Sequence, residues 1–147
     1  MGILEKIGSD MIAAMKAKDK VRTTALRSLK SAVKYREIDK KTELTEEDVI
    51  AVLSSTVKRH RDSIEQYQKA GRDDLVQIEK LELEVALGYL PKQLEPEEIE
   101  KLVNEAIEES SASSPADIGK VMKAVMPKLK GRADGKIVKE IVARRLS

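Results

Sequence analysis

The stretch SPADIGKVMKAVMPKLKGRADG, residues 114–135, decides the fold of the C-terminal part of the chain. Ser114, Pro115 and Asp117 have the form of a helix start, with a hydroxyl to cap the backbone, a proline that loses no hydrogen bond and a carboxylate near the positive end of the helix dipole. The apolar residues that follow recur at intervals of three and four, which places them on one helix face. They are Ile118, Val121, Met122, Val125 and Met126. The sequence therefore predicts a helix that begins at the proline.

Basic residues gather where this helix is predicted to end. Pro127 weakens the last turn, Gly131 marks a tight loop, and Asp134 can cap the next helix. The cations predicted to follow in the loop are Lys128, Lys130 and Arg132. Cations together with exposed backbone N–H groups would suit an anion such as a phosphate. A solvated connection between two helices is the alternative interpretation.

Composition limits the classes of protein to which the chain can belong. Its 147 residues suffice for one ordinary domain or two small ones. The absence of cysteine excludes disulfides, thiolate metal sites and a cysteine nucleophile. The first residues contain no apolar run of the length that a secretion signal or a membrane span requires. We therefore expect a soluble, cytoplasmic protein without a membrane partner.

Charge is segregated along the chain although it nearly cancels overall, with 28 basic residues against 26 acidic ones. Residues 20–36 contain six basic residues and no acidic one. Residues 94–114 contain seven acidic residues and one lysine, whereas residues 117–147 contain nine basic and three acidic residues. The net charge predicts no partner, but the segregation favours contacts made by separate segments. The aromatic residues are three tyrosines, too few to predict a surface that stacks bases on rings.

Apolar residues repeat at helical spacing along almost the whole chain, and no alternation long enough for a sheet occurs. The sequence predicts an all-α fold, with an N-terminal four-helix domain over residues 1–92 and a small C-terminal three-helix domain over residues 95–147. Pro91 and the short polar link after it mark the boundary. The predicted core of the small domain consists of Leu102, Ile107, Val121, Val125, Ile137 and Ile141.

Two local patterns mark the third and fourth predicted helices. Thr45 and Asp48 form a capping box that begins the third helix. The fourth helix begins at Asp73 or Asp74, and its apolar residues cover more than one face. Such a broad stripe favours a central position in a helix bundle.

The second predicted helix, residues 20–36, carries an apolar stripe and a basic stripe on opposite sides. The basic stripe contains Lys20, Arg27, Lys30 and Lys34. Cations along about four helical turns match the spacing of a phosphate backbone or of an acidic protein surface. They would equally well pair with acidic residues of neighbouring helices. Both interpretations are open at this point.

His60 is the only histidine and lies on the apolar seam of the third predicted helix. An imidazole packed at the edge of the core is favoured over a general base, because no serine or aspartate is placed by spacing to partner it. Glu95, Glu97 and Glu98 are explained by the helix dipole. The serines of residues 110–114 are interpreted as linker and cap. No catalytic residue, cofactor or metal site is predicted.

Three motifs resemble the YqeY family: RHRDSIEQYQKAGRDDL at residues 59–75, YLPKQL at 89–94 and DIGKVMKAVMPKLKGRADGKIV at 117–138. The resemblance covers essentially the whole chain. The C-terminal part is also similar to the tail domain of the B subunit of the glutamine-dependent amidotransferase that converts misacylated glutamyl- or aspartyl-tRNA to its amide. The resemblance implies a helical N-terminal domain followed by a three-helix GatB/YqeY-type domain that helps to hold tRNA.

The resemblance also implies that the cations of the matching C-terminal motif face tRNA, and the basic stripe of the second helix is added to them. The candidate nucleic-acid-binding residues are Lys120, Lys123, Lys128, Lys130, Arg132, Lys136, Arg27, Lys30 and Lys34. The predicted function is a tRNA-associated binding module, accessory to tRNA-dependent amidation. The expected partners are tRNA and subunits of an amidotransferase or synthetase.

Two other functions are weighed against this one. The chain could be a component with carbon–nitrogen ligase activity that uses glutamine as amido donor, as the resemblance to the amidotransferase implies. It could instead be a protein–protein adaptor whose acidic fifth helix and basic sixth and seventh helices bind different partners. Because the sequence has no serine–lysine amidase pattern and no glycine-rich phosphate loop, we expect no catalysis by the chain alone.

Overall fold

The computed structural model describes residues 2–147, which form seven α-helices, one short 3-10 helix and no strand. The predicted all-α class is confirmed. The 3-10 helix, Pro115–Asp117, leads into the sixth α-helix. The α-helices are α1 (Ile3–Lys16), α2 (Lys20–Lys40), α3 (Glu46–Lys69), α4 (Asp73–Leu87), α5 (Pro96–Ser110), α6 (Ile118–Leu129) and α7 (Gly135–Leu146).

The described chain divides into two compact units, the first ending at Pro91 and the second spanning Lys92–Ser147. The first unit contains α1–α4, and the second contains α5, the 3-10 helix, α6 and α7. Each unit encloses its own cluster of buried apolar side chains. Whether the units are domains that fold separately stays a prediction.

The core of the first unit is supplied by one face of each of its helices. On α2 the side chains of Leu26, Leu29 and Val33 are at most 2% exposed, and on α3 Leu53 is fully buried. The intervals of three and four residues on α2 are those that bring side chains onto one face of a helix. The apolar stripe of α2 therefore points into the core and leaves its basic stripe in solvent.

The interpretation of α4 as a central helix is wrong. Ile78 and Leu81 on this helix are 50% and 46% exposed, whereas Val76 and Ala86 are buried. Among the described helices of the first unit, α4 packs against α2 and α3 but not against α1. A helix with neighbours on one side cannot bury a stripe that covers more than one face. Part of the apolar surface of α4 therefore remains in solvent.

The helix α2 continues past its predicted end at Arg36 to Lys40. It ends where Lys41 takes a left-handed conformation, with φ of 61°, and donates its N–H to the Glu37 carbonyl at 3.0 Å. The amine of Lys40 lies 2.5 Å from Asp48 Oδ2 at the start of α3. This ion pair holds the last turn of α2, which a search for apolar periodicity alone does not detect.

The predicted capping box at the start of α3 is confirmed. Asp48 N–H donates to the Thr45 hydroxyl at 3.2 Å, and Thr45 N–H donates to Asp48 Oδ2 at 2.9 Å. The hydrogen bond from Lys40, followed by the one from Thr45 N–H, lowers the pKa of Asp48 from 3.8 to about 2. The ionised carboxylate is therefore the form that the fold stabilises.

Replacing Asp48 by asparagine is expected to lower stability at neutral pH and to matter less in acid. The folded-state pKa of Asp48 lies below its ordinary value, so the stabilisation is complete above about pH 4 and is lost as the pH falls towards 2. The free energy of unfolding should be measured from pH 7 to pH 2 for both proteins. A difference between them that stays constant across this range would contradict the assignment.

The second unit packs α5, α6 and α7 around a core of mainly branched aliphatic side chains. Val103, Val121, Val125 and Val142 are fully buried. The prediction that Ile137 belongs to this core is wrong, because its side chain is 44% exposed. The next residue on α7, Val138, is fully buried and occupies the inward position. Adjacent residues of a helix point about 100° apart, so only one of the two faces the core.

The start of α6 differs in detail from the predicted cap. The Ser114 side chain makes no capping hydrogen bond. Instead, Asp117 Oδ2 accepts the N–H of Ser113 at 3.0 Å. This bond, followed by a further backbone hydrogen bond at Ser114 and the charge of Lys120, lowers the pKa of Asp117. The Asp117 carboxylate thus fixes the turn before the 3-10 helix, and no side chain caps the start of α6.

The end of α6 lies beyond the proline that was expected to weaken it. The helix passes through Pro127 and ends at Leu129, so Lys128 is helical and the prediction that places it in the loop is wrong. Proline removes one backbone hydrogen bond. The Leu129 side chain is fully buried in the core of the second unit. Burial of this side chain holds the last turn in helical form despite the missing bond.

Candidate nucleic-acid interface

The turn between α6 and α7, residues 130–134, is fixed by backbone hydrogen bonds. Gly131 has φ of +75°, a conformation that glycine adopts without steric cost. Arg132 N–H donates to the Leu129 carbonyl at 2.8 Å. Two bonds come from the start of the second unit: Gln93 Nε2 donates to the Gly131 carbonyl and Leu94 N–H to the Arg132 carbonyl, both at 2.8 Å. The turn therefore has a defined shape.

The predicted cap at the start of α7 is confirmed. Asp134 Oδ1 accepts the N–H of Lys136 at 3.0 Å, and the Asp134 carbonyl accepts the N–H of Val138 at 3.1 Å. The N–H groups of Arg132 and Lys136 are thus already paired inside the protein. An anion at this turn would meet lysine and arginine side chains rather than these backbone donors.

The lysines of α6 lie on the side of the helix opposite the core. At about 100° per residue, Lys120 and Lys123 point away from the buried Val121 and Val125. Lys130 follows the last helical residue and is likewise exposed. We call Lys120, Lys123 and Lys130 the outer lysines of α6. Together they form the basic stripe of α6, with Lys120 and Lys123 on the outward side of the helix and Lys130 just beyond its end.

The outer lysines differ in their acidic neighbours. Lys120 lies close enough to Asp117 to contribute to the lowered pKa of that carboxyl. Within residues 2–147, no carboxylate oxygen lies within 4.0 Å of the amine of Lys123 or Lys130. Two of the three charges are thus uncompensated by the fold and exposed to solvent.

The other cations of the matching motif are partly engaged. The amine of Lys128 lies 3.4 Å from Glu109 Oε2 of α5. The side chain of Arg132 is half-buried in the turn. Lys136, in the first turn of α7, is exposed, but it already interacts with another group of the protein. These three residues flank the basic stripe rather than extend it.

The basic residues of α2 form a second surface in the first unit. Arg27, Lys30 and Lys34 are all exposed and lie along one side of the helix, next to the buried stripe that contains Leu26 and Val33. None of these cations lies within 4.0 Å of a carboxylate oxygen in the described part of the chain. The structure therefore does not support the alternative interpretation, in which these cations pair with acidic residues of neighbouring helices. The α2 surface and the outer lysines of α6 belong to different units.

Comparison with known proteins identifies the family. The family model described as Yqey-like protein matches residues 4–146. The chain belongs to the YqeY family. The match begins in the first turn of α1 and ends at the last residue of α7. The family model therefore covers both compact units of the chain.

The YqeY-family chain is similar to proteins named "Altered inheritance of mitochondria protein 41, mitochondrial". The one from Lachancea thermotolerans is 37% identical over 111 residues, which cover 73% of this chain and 59% of that protein. The one from Clavispora lusitaniae is 32% identical over 126 residues, covering 84% and 74%. The one from Eremothecium gossypii is 36% identical over 88 residues, covering 59% and 48%. The matches thus span about half to three quarters of these relatives.

The prediction of a cytoplasmic location is wrong, because these YqeY-family relatives are named as mitochondrial proteins. It was inferred from the absence of cysteine and of a long apolar segment. Neither feature is specific to one compartment of the cell, so neither could decide the location. Among the helices of residues 2–147, none is both long and apolar enough to cross a membrane.

The YqeY fold also contains a cleft of about 490 Å³ in the first unit, which the sequence does not reveal. The Tyr89 hydroxyl donates to Asp10 Oδ2 at 2.5 Å, and the Lys6 amine lies 5.9 Å from the Tyr89 ring centroid. Burial, followed by the hydrogen bond to Asp10, raises the pKa of Tyr89 above its ordinary value. Asp19, Arg22 and Glu84 add further charges of both signs to the lining, and the rest of it is mainly apolar. Tyr89 and Asp10 are far apart in sequence, so no spacing pattern links them.

His60 lies at the edge of the core, as its place on the apolar seam of α3 predicts, and its side chain is 16% exposed. Its neighbours are acidic residues of α4 rather than a serine or aspartate. Its Nδ1 lies 2.6 Å from Glu79 Oε2 and 3.8 Å from Glu82 Oε2. Glu79 and Glu82 are three residues apart and therefore share one side of α4. This spacing of two glutamates is the one signal in the sequence that indicates an acidic neighbour for His60.

Proposed function

We propose that this YqeY-family protein binds tRNA through the outer lysines of α6 and the α6–α7 turn, and that it is accessory to tRNA-dependent amidation. The observation that carries the proposal is the basic stripe of α6, in which Lys123 and Lys130 have no carboxylate of the described residues within 4.0 Å. Cations that the fold leaves uncompensated are available to neutralise phosphates. The affinity gained in this way comes from the release of counterions.

The cations of α2 support the same function as a second surface. Arg27, Lys30 and Lys34 are exposed and have no carboxylate within 4.0 Å among the described residues. Their side of α2 contains no buried apolar residue, so they contribute little to packing of the first unit. The fold does not require basic residues on this side of α2. Binding of a polyanion would explain why they are there.

The mode of recognition that fits these surfaces is one based on shape and charge. The chain contains no tryptophan or phenylalanine, and one of its three tyrosines, Tyr89, is buried. Tyr35 is 73% exposed beside Lys34 and offers one ring for a base. Stacking of several successive bases needs more rings than this. Contacts to phosphates and ribose along a folded RNA need lysine and arginine alone.

Binding of tRNA should depend steeply on salt. If three phosphates are neutralised, raising the salt concentration from about 50 to about 200 mM lowers the affinity by roughly 40-fold. The affinity of fluorescently labelled total tRNA for the untagged chain should be measured at both concentrations by fluorescence anisotropy. A duplex DNA of equal phosphate content serves as competitor. Absence of binding at the lower salt concentration would reject the proposal.

The accessory role calls for a separate assay. The chain should be added to a reaction that contains glutamine, misacylated tRNA and a glutamine-dependent amidotransferase. We expect a higher rate of amide formation at limiting tRNA when the chain is present, and no amide from the chain without the amidotransferase. Amide formed by the chain alone would favour the carbon–nitrogen ligase alternative. Binding of tRNA without any effect on the rate would restrict the function to RNA binding.

A further inference from the structure

Three side chains that the proposed function does not use converge between α3 and α4. They are His60 of α3 and Glu79 and Glu82 of α4, and their ligand atoms lie within 4.8 Å of one another. All three are partly buried, with side-chain exposures of 16%, 20% and 21%. These three groups, one imidazole nitrogen and two carboxylates at the edge of a core, are of the types that bind metal ions in proteins.

The His60 imidazole can donate a hydrogen bond to only one of the two carboxylates. Nδ1 of His60 carries at most one hydrogen, which can be donated along the 2.6 Å contact to Glu79. Glu82 Oε2 also faces this nitrogen, at 3.8 Å, and receives no hydrogen bond from it. A divalent cation among the three atoms would satisfy both carboxylates at once.

We propose that His60, Glu79 and Glu82 bind a divalent transition-metal cation, for which Zn²⁺ is the representative. Bonds of about 2.1 Å from a tetrahedral Zn²⁺ place ligand atoms about 3.4 Å apart. The observed separations of 2.6 and 3.8 Å reach this value through rotation of glutamate side chains. The imidazole nitrogen favours Zn²⁺ over Mg²⁺ and Ca²⁺, which prefer oxygen ligands. Three protein ligands leave the fourth position for water or a ligand from solution.

The metal would connect the two helices that carry its ligands. Because the site needs α3 and α4 in their folded positions, Zn²⁺ binds the folded chain more tightly than the unfolded one and stabilises it. At a free concentration about 100 times the dissociation constant, Zn²⁺ is expected to raise the Tm by about 5–10 °C. Mg²⁺ at the same concentration is expected to leave the Tm unchanged.

The test is a titration of the untagged full chain with ZnCl₂, followed by calorimetry and by the proton NMR signals of the imidazole. Because the chain has one histidine, those signals report on His60 without further assignment. We expect one Zn²⁺ per chain, a shift of the His60 signals, and at least about tenfold weaker binding (~1.4 kcal/mol) in His60→Ala and in Glu79→Gln/Glu82→Gln. Glu84→Gln is the matched control, an exposed residue of the same helix outside the cluster, and should bind as the original chain does.

Three results would overturn the proposal. They are the absence of saturable Zn²⁺ binding, binding that leaves the His60 signals in place, and binding that is equally strong in Glu79→Gln/Glu82→Gln and in Glu84→Gln. The charge-neutral double variant keeps the shape of both glutamates, and its helical circular dichroism shows whether it is folded. The experiment contains no RNA, so its outcome is independent of the proposed binding of tRNA.

Discussion

Leu129→Ala is expected to unfold residues 92–147 well below the temperature at which the original chain unfolds. Leu129 is fully buried in the core of the second unit and holds the last turn of α6 after Pro127. Removal of a buried leucine side chain costs about 2–5 kcal/mol. A unit of this size has a small core, so the loss is a large share of its stability.

The distribution of aromatic residues allows the two units to be followed separately. Tyr35, Tyr67 and Tyr89 all lie in the first unit, and residues 92–147 contain no aromatic residue. Thermal unfolding should therefore be followed by tyrosine fluorescence for the first unit and by far-UV circular dichroism for both. In Leu129→Ala we expect an early loss of part of the helical signal and an unchanged tyrosine transition.

Ile137→Ala is the matched control for this experiment, because Ile137 lies in the same unit and is 44% exposed. Its replacement should cost less than about 1 kcal/mol. If both probes shift together in Leu129→Ala, the two units unfold as one and the prediction of separate domains is wrong. If Leu129→Ala is as stable as Ile137→Ala, the assignment of Leu129 to the core is wrong.

Reversal of the outer lysines of α6, by replacing Lys120, Lys123 and Lys130 with glutamate, is expected to lower the affinity for tRNA by about 100-fold at physiological salt. The slope of the logarithm of the affinity against the logarithm of salt concentration should become shallower by about 3. All three residues are exposed, Lys120 and Lys123 on the side of α6 away from the core and Lys130 just past its last residue, so the fold does not depend on them. The measurement is fluorescence anisotropy across a salt series.

A control with the same change in net charge separates a local effect from a general one. Lys58, Lys80 and Lys101 are exposed lysines outside both basic surfaces, and their replacement by glutamate changes the net charge equally. This control triple should retain most of the affinity. Equal losses in the two triple variants would show that net charge alone governs binding and would contradict the assigned interface.

The helices could be predicted from sequence because their positions depend on local signals. Thr45 with Asp48 and Asp134 with Lys136 are capping interactions between residues close together in sequence, and both are present. The end of α6 could not be predicted in the same way. Local rules place the end near Pro127, whereas burial of Leu129 in a core built by three helices extends it. Packing across helices outweighs a local preference there.

For the basic surfaces too, local features could be predicted from the sequence, but contacts between distant residues could not. Exposure of the cations on α2 and α6 follows from the spacing of the apolar residues on those helices. The environment of each cation depends on residues distant in sequence, as the contact of Lys128 with Glu109 shows. The convergence of His60 with Glu79 and Glu82 needs the packing of α3 on α4, which no pattern within either helix contains.

The hydrogen bonds of Gln93 and Leu94 to the α6–α7 turn determine where the chain tolerates a change of length. Both residues stand before the first helix of the second unit, yet each is bonded to the loop that precedes its last helix. An insertion between Gln93 and Glu95 would pull these bonds out of register, whereas one placed before Lys92 would leave them in place. Natural variation in linker length within the family should therefore accumulate on the N-terminal side of Gln93.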